Sequence, residues 1–168
     1  MSELDEGIRA QMLEALPRLR RFGYALTGNM HDADDIVQAT VERALRSIEQ
    51  WQHGTRLDSW MFRIAKNLWI DQIRSLKHRG QEVDIESTPE LQGDDGETLI
   101  ESQLMLRKTQ KAIMQLPEEQ RSVIALVSVD GLSYREVAEI LEVPIGTVMS
   151  RLARARKILA EQLLENNE

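Results

Sequence analysis

The sequence predicts an all-α protein: two small helical domains, residues 1–79 and 99–168, joined by a flexible acidic linker over residues 80–98. Three observations predict it. Upstream, apolar residues recur at the three- and four-residue spacing of helices that bury one face. In the middle, GQEVDIESTPELQGDDGET carries seven carboxylates, no lysine or arginine, and Gly80, Pro89, Gly93 and Gly96, with few large apolar side chains to hold a packed element. Downstream, two amphipathic patterns meet at Glu142-Val143-Pro144, as in a helix pair joined by a tight turn. A length of 168 residues and a hydrophobic content of 42% suffice for two small cores.

The first helix is expected near residues 8–27, where Ile8, Met12, Leu16, Leu19 and Leu26 keep helical spacing despite Pro17, and Gly28-Asn29 end it. Asp32 or a neighbour caps the second. Its stripe of Ile36, Val37, Thr40, Val41, Ala44, Leu45 and Ile48 is expected to be buried, which turns Asp34, Asp35, Gln38 and Glu42 outward as an acidic flank. After the loop QWQHGTRLD comes SWMFRIAKNLWIDQIRSLKHRG, a third helix on which Arg63, Lys66, Asn67, Arg74 and Lys77 share one broad face. Trp51, Trp60, Phe62 and Trp69 gather in or before this cationic helix. Aromatic surface beside cations is what a single-strand binder uses, but tryptophans at helical spacing more often fill a core.

Beyond the linker, Ser133 and Glu136 make a capping box that starts a helix at Ser133, with Val137, Ile140 and Leu141 on its apolar face. Pro144 removes a donor and biases Val143 away from helical geometry, and a new helix begins there. On that last helix Val148, Leu152, Ala155 and Leu159 fall in one arc and Thr147, Ser150, Arg151, Arg154 and Lys157 on the opposite side. A helix-turn-helix puts the N-terminal part of its second helix in the major groove, where a guanidinium pairs with guanine or holds phosphate, so Arg151 and Arg154 are the expected contacts.

The net charge of −7 does not oppose nucleic-acid binding, because it is unevenly spread: 12 basic against 11 acidic residues over 1–79, none against 7 over 80–98, and 9 against 10 over 99–168. With no cysteine there is no disulfide and no thiolate metal site, as suits a reducing cytoplasm. His31, His53 and His78 lack metal-ligand spacing, and no glycine loop cradles a phosphate, so neither a cofactor nor an enzyme is expected. The polar start MSELDEGIRAQ and the lack of a long apolar run predict no signal peptide and no membrane insertion.

Together the two regions resemble the bacterial sigma-70 initiation factors, in particular the small extracytoplasmic-function (ECF) group. DADDIVQATVERAL is similar to the family's polymerase-binding helix and TRLDSWMFRIAKNLWIDQIR to its minus-10 helix. LPEEQRSVIAL followed by GLSYREVAEILEVPIGTVMSRLARARK is similar to its minus-35 module. The resemblance implies that Asp34, Asp35, Gln38 and Glu42 face core RNA polymerase. It implies that Asn67 and the loop of His53, Gly54, Thr55 and Arg56 handle an unstacked minus-10 base, with Arg63, Lys66 and Arg74 along the backbone. In the minus-35 module Arg135 would sit on phosphate, Thr147, Ser150, Arg151 and Arg154 would enter the major groove, and Lys157 would lie on the same face. The chain departs from the family pattern at Ala39, where many relatives are acidic, and at Met149, where many are basic.

The implied function is promoter-directed initiation without covalent chemistry, in a stress or envelope response, with an anti-sigma factor as a further partner. A helix-turn-helix repressor that binds duplex DNA alone, and an adaptor that binds only proteins, are the competing readings. The linker's 19 residues extend to about 60 Å at about 3.3 Å each, enough to let two readers reach separated elements. Its carboxylates either keep a tether extended or imitate nucleic acid in the polymerase channel.

Overall fold

The computed structural model describes residues 3–80, 96–129 and 131–165, all of it helices, turns and loops. The expected linker lies outside the described residues except at its ends, Gly80 and residues 96–98. In the first half, α1 (Glu3–Thr27), α2 (Met30–Arg46) and α3 (Leu57–Arg79) pack together, with a single 3-10 turn, Ile48–Gln50, ahead of the loop into α3. The second half comprises α4 (Gly96–Met114), α5 (Glu118–Val127), α6 (Tyr134–Leu141) and α7 (Ile145–Glu165).

Helix α1 runs through Pro17 and stops at Gly28, whose φ of 71° favours glycine. Asn29, rather than Asp32, caps α2: its side chain accepts from the backbone N–H groups of His31 and Asp32. Where α1 crosses α2 the backbones come close, and a Cβ at Gly23 would stand 3.2 Å from Ala33. This half buries Leu19, Phe22, Leu26, Ile36, Leu57, Met61, Phe62 and Trp69, with Phe22 edge-on to Phe62 at 5.5 Å. Trp51 is also buried. Leu45, expected in the α2 stripe, is instead 59% exposed, since it sits in the last turn of α2, past the buried Ala44. Gly80 closes α3 in the left-handed region.

The capping box forms at Ser133 and Glu136 as the sequence predicts. Glu142 ends α6 at φ 58°, a left-handed cap on a residue other than glycine, and α7 starts directly after Pro144. Val123, Leu126, Val137, Ile140, Val148 and Leu152 fill the space between α5, α6 and α7.

The two halves do not stand apart. One continuous apolar cluster runs from Met12 to Leu152, with α5 and α4 against α1 and α6 against α3. Arg121 of α5 ties them: its guanidinium donates to the carbonyl of Leu26 at 3.2 Å and to those of Met114 and Leu116 at 2.6 and 3.1 Å, and lies over the Trp69 ring at 5.5 Å. Burial pushes this guanidinium below its ordinary pKa. Gln110 donates to the carbonyl of Tyr24 at 3.2 Å, and Lys77 lies 4.0 Å from Glu118.

Candidate nucleic-acid interface

The loop into α3 and the first turns of that helix border a cleft of about 580 Å³, lined by Trp51, Thr55, Arg56, Trp60 and Arg63 and, from the other half, by Glu136, Glu139 and Ile140. His53 is exposed and tilted on Trp51, 4.9 Å between ring centres. Gly54 takes φ 94°, a value for which glycine is suited, and Thr55 closes the turn by donating its hydroxyl to the carbonyl of Gln52 at 2.6 Å. Trp51, Phe62 and Trp69 belong to the core, whereas Trp60 is half-buried on the cleft wall.

Asp58 organises the entrance. It accepts from Arg56 at 3.0 and 2.6 Å and from Arg18 at 2.8 Å. Burial by itself would raise its carboxyl pKa, but the hydrogen bonds from Arg56 and Arg18 outweigh it and hold the group below the usual carboxylate value.

Helix α6 lies over this region and occupies its cations. Arg56 donates to the Glu136 carboxylate at 2.5 Å and to the carbonyl of Gly131 at 3.2 Å. Arg63 donates to the carbonyl of Glu139 at 2.8 Å and lies 3.7 Å from the Glu142 carboxylate. Lys66, expected on an open cationic face, is 7% exposed, and the desolvation lowers its pKa, with Arg63 pushing the same way and Glu142 opposing. Asn67 and Arg74, on the same face, remain exposed. The spacing of the face is therefore as predicted, but its middle is covered by the other half of the chain.

On α7, Ser150, Arg154 and Lys157 are exposed and Thr147 is half-buried, opposite the buried Val148, Leu152 and Ala155. Arg151 turns toward α5, 3.7 Å from Glu119 and more covered than its neighbours. Arg135 is exposed beside a shallow hollow formed with Val143, Pro144 and Ile145. Along α2, Asp34, Asp35, Gln38 and Glu42 are all exposed; Asp34 pairs with Arg20 at 2.8 Å and Asp35 lies 3.6 Å from His31.

Sequence reasoning misses Glu136, Glu142, Asp58 and Arg121. Glu136 reads in sequence only as a capping residue, and nothing in its local pattern points to Arg56, 80 positions away. Arg121 stands in the polar first turn of α5, between Gln120 and Ser122, where nothing in the sequence marks it.

Family profiles match both halves: sigma-70 region 2 over residues 12–79 and sigma-70 region 4 over residues 106–159. The ECF RNA polymerase sigma factor EcfG of Rhodopseudomonas palustris is 35% identical over 160 residues, which cover 95% of this chain and 87% of that one. The chain belongs to the ECF sigma-factor family. SigW of Bacillus subtilis is 36% identical to this ECF sigma factor over 154 residues, 83% of this chain and 80% of that one. Among solved structures, the sigma factor RpoE of Bartonella quintana, in complex with the anti-sigma factor NepR, superposes with a TM-score of 0.78 at 29% identity. That superposition covers 94% of this chain and 97% of that one, so it spans both halves at once. Region 2 of the ECF factor thus falls on α1–α3, with the cleft, and region 4 on α4–α7, with the helix-turn-helix. Among the described residues no helix is long and apolar enough to cross a membrane.

Proposed function

We propose that this ECF sigma factor works in the cytoplasm: it binds core RNA polymerase, carries it to promoters with minus-35 and minus-10 elements, and stabilises the melted strand. Residues 1–79 serve polymerase and minus-10 binding, residues 80–98 span the gap, and residues 99–168 read the minus-35 element. Asp34, Asp35, Gln38 and Glu42 form the polymerase-facing flank, a reading supported by their exposure along one side of α2. Asn67 and the loop of His53, Gly54, Thr55 and Arg56 capture an unstacked base, while Arg63, Lys66 and Arg74 follow its backbone. On region 4, Arg135 and Lys157 hold phosphate and Thr147, Ser150 and Arg154 face the groove, where Arg151 joins them on leaving Glu119.

The docked arrangement is the resting form of the factor. Carboxylates hold guanidinium groups with the geometry that phosphates use, so Glu136 and Glu142 compete with DNA for Arg56 and Arg63. Lys66 is 7% exposed and so is withheld from solvent in this arrangement. An anti-sigma partner that holds the halves together would prolong this state, and the arrangement of the Bartonella quintana RpoE–NepR complex, alike over both halves, supports that role.

The observation that carries the functional reading is the presence, in one chain and in order, of region 2 with its cleft and region 4 with the exposed Arg154 face. Run-off transcription with core polymerase tests it. Specific transcripts are expected only when the factor is added, and Asp35→Lys with Glu42→Lys should reduce polymerase binding while leaving the fold intact. A chain that protects a palindromic duplex without polymerase and fails to support transcription would instead be a repressor.

A further inference from the structure

Helix α7 carries an apolar strip that the fold leaves in water. Ile145, Met149 and Ala153 follow one another at four-residue spacing and are all exposed, Ile145 by 51% and Met149 by 46%. The core is supplied by a different arc, Val148, Leu152 and Ala155. The docking of the two halves does not use the strip either, because α6 turns Glu136, the carbonyl of Glu139 and Glu142 toward α3. Gly146 lies beside the strip, and a Cβ there would meet nothing within 4 Å, so packing does not require glycine. A bare backbone at this point lets the first turn of α7 come close to whatever it faces.

We propose that Met149, flanked by Ile145, packs on the C5-methyl of a thymine in the minus-35 element and so makes the factor prefer an A·T pair at that position. This rests on the reading of α7 as the helix that enters the major groove. The edges of the bases there present donors and acceptors, and the thymine methyl is the one apolar group among them. The N-terminal turns of a recognition helix are the part that reaches base edges, and Ile145 and Met149 occupy the first two. A thioether side chain is flexible and polarisable enough to settle on a methyl without a preformed pocket. Ser150 and Arg154, exposed further round the same helix, supply hydrogen bonds at neighbouring positions, so polar and apolar readout are divided along one surface.

The test uses core polymerase assembled with the full chain. Promoter fragments are selected from a pool randomised across the minus-35 element, and deoxyuridine then replaces each thymidine singly, which removes the methyl alone. For the native factor one replacement should weaken binding roughly fourfold, the effect of losing one buried carbon. For Met149→Ala the same replacement should change nothing, because the contact is already gone, and Ile145→Ala should reduce the effect in part. Both side chains are exposed, so thermal unfolding should be unaltered, and that measurement separates a lost contact from a damaged fold. If native binding ignores every deoxyuridine while Arg154→Ala still weakens minus-35 binding, the thymine contact is overturned and α7 remains the reader. If Arg154→Ala and Met149→Ala both bind like the native factor, the groove-reading role of α7 fails and the inference with it. Weaker polymerase assembly by Met149→Ala with no deoxyuridine effect assigns the strip to a protein contact, which also overturns the proposal.

Discussion

Replacing Glu136 and Glu142 together by glutamine should loosen the docking of α6 on the α3 cleft without unfolding region 4. The Glu136→Gln change still allows the capping box with Ser133 to form, because glutamine serves there as well as glutamate. What is lost is charge opposite Arg56 and Arg63. The side chains of the first pair are 43% and 24% exposed and those of the second 39% and 65%, so water and salt screen both. Partly exposed pairs contribute about 0.2 to 1 kcal/mol each, which gives roughly 1 kcal/mol for the two and about a fivefold shift toward separated halves. The shift is modest because Arg63 keeps its bond to the carbonyl of Glu139 and Arg121 keeps its bond to that of Leu26. The chain has no cysteine, so spin labels on Ser75→Cys in α3 and Glu161→Cys in α7, both exposed, report the separation cleanly. The variant should populate long distances about five times more than the native factor at low salt, and the two should converge near 1 M salt, where the screening length falls to about 3 Å. Identical distance distributions at low salt, together with unchanged affinity for single-stranded minus-10 DNA, would refute the idea that these carboxylates hold the factor closed.

Arg121→Met should lower stability by about 2 to 3 kcal/mol, since three carbonyls lose a charged donor, two of them at the end of α4 and in the turn that leads to α5; urea unfolding measures it. Arg154→Ala should weaken minus-35 binding by about 1 to 3 kcal/mol while leaving the melting temperature nearly unchanged, whereas Leu152→Asp, at a fully buried position, should unfold region 4; equal melting temperatures for the two would mean that the faces of α7 are misassigned. The Asp58 carboxyl is held below its ordinary value of 3.8, so its stabilising contribution is present above that value and disappears as the pH falls through the lower folded-state value. Urea midpoints measured at pH 5 and pH 3 should therefore fall less in Asp58→Asn than in the native chain.

What was legible in the sequence was local. The periodicity of α1, α2, α3, α6 and α7, the capping box at Ser133 and the turn at Pro144 are each decided within a few residues, and the structure reproduces them. The face carrying Arg63, Lys66, Asn67 and Arg74 was also predictable, because helical spacing alone puts those residues together. Its cover was not. Whether a cationic face meets water or another part of the chain depends on contacts between residues some 80 positions apart, and Glu136 looks the same in sequence whether it only caps α6 or also binds Arg56. Leu45 failed for a related reason: periodicity assigns it to the buried stripe, but it lies in the last turn of α2 and stays exposed.

The same physical logic joins the hidden part of the structure to its use. A side chain that must bind phosphate has to be cationic and accessible, and an accessible cation in a free protein will take whatever carboxylate the chain can offer. Arg56 and Arg63 take those of α6. On the proposed reading of these arginines as DNA contacts, promoter DNA and polymerase must then supply more than these partly exposed pairs do, and screening by salt lowers that threshold further. Arg121 is different in kind, since its half-buried guanidinium is tied to backbone carbonyls rather than to a carboxylate. On the same reading, opening has two parts: release of a screened electrostatic contact at α6, and withdrawal of a desolvated guanidinium from the end of α1. A factor stripped of the Glu136 and Glu142 charges should therefore open more often yet still close, and Arg121→Met, which removes the bond to Leu26, should shift the same equilibrium toward separated halves while the apolar contacts remain.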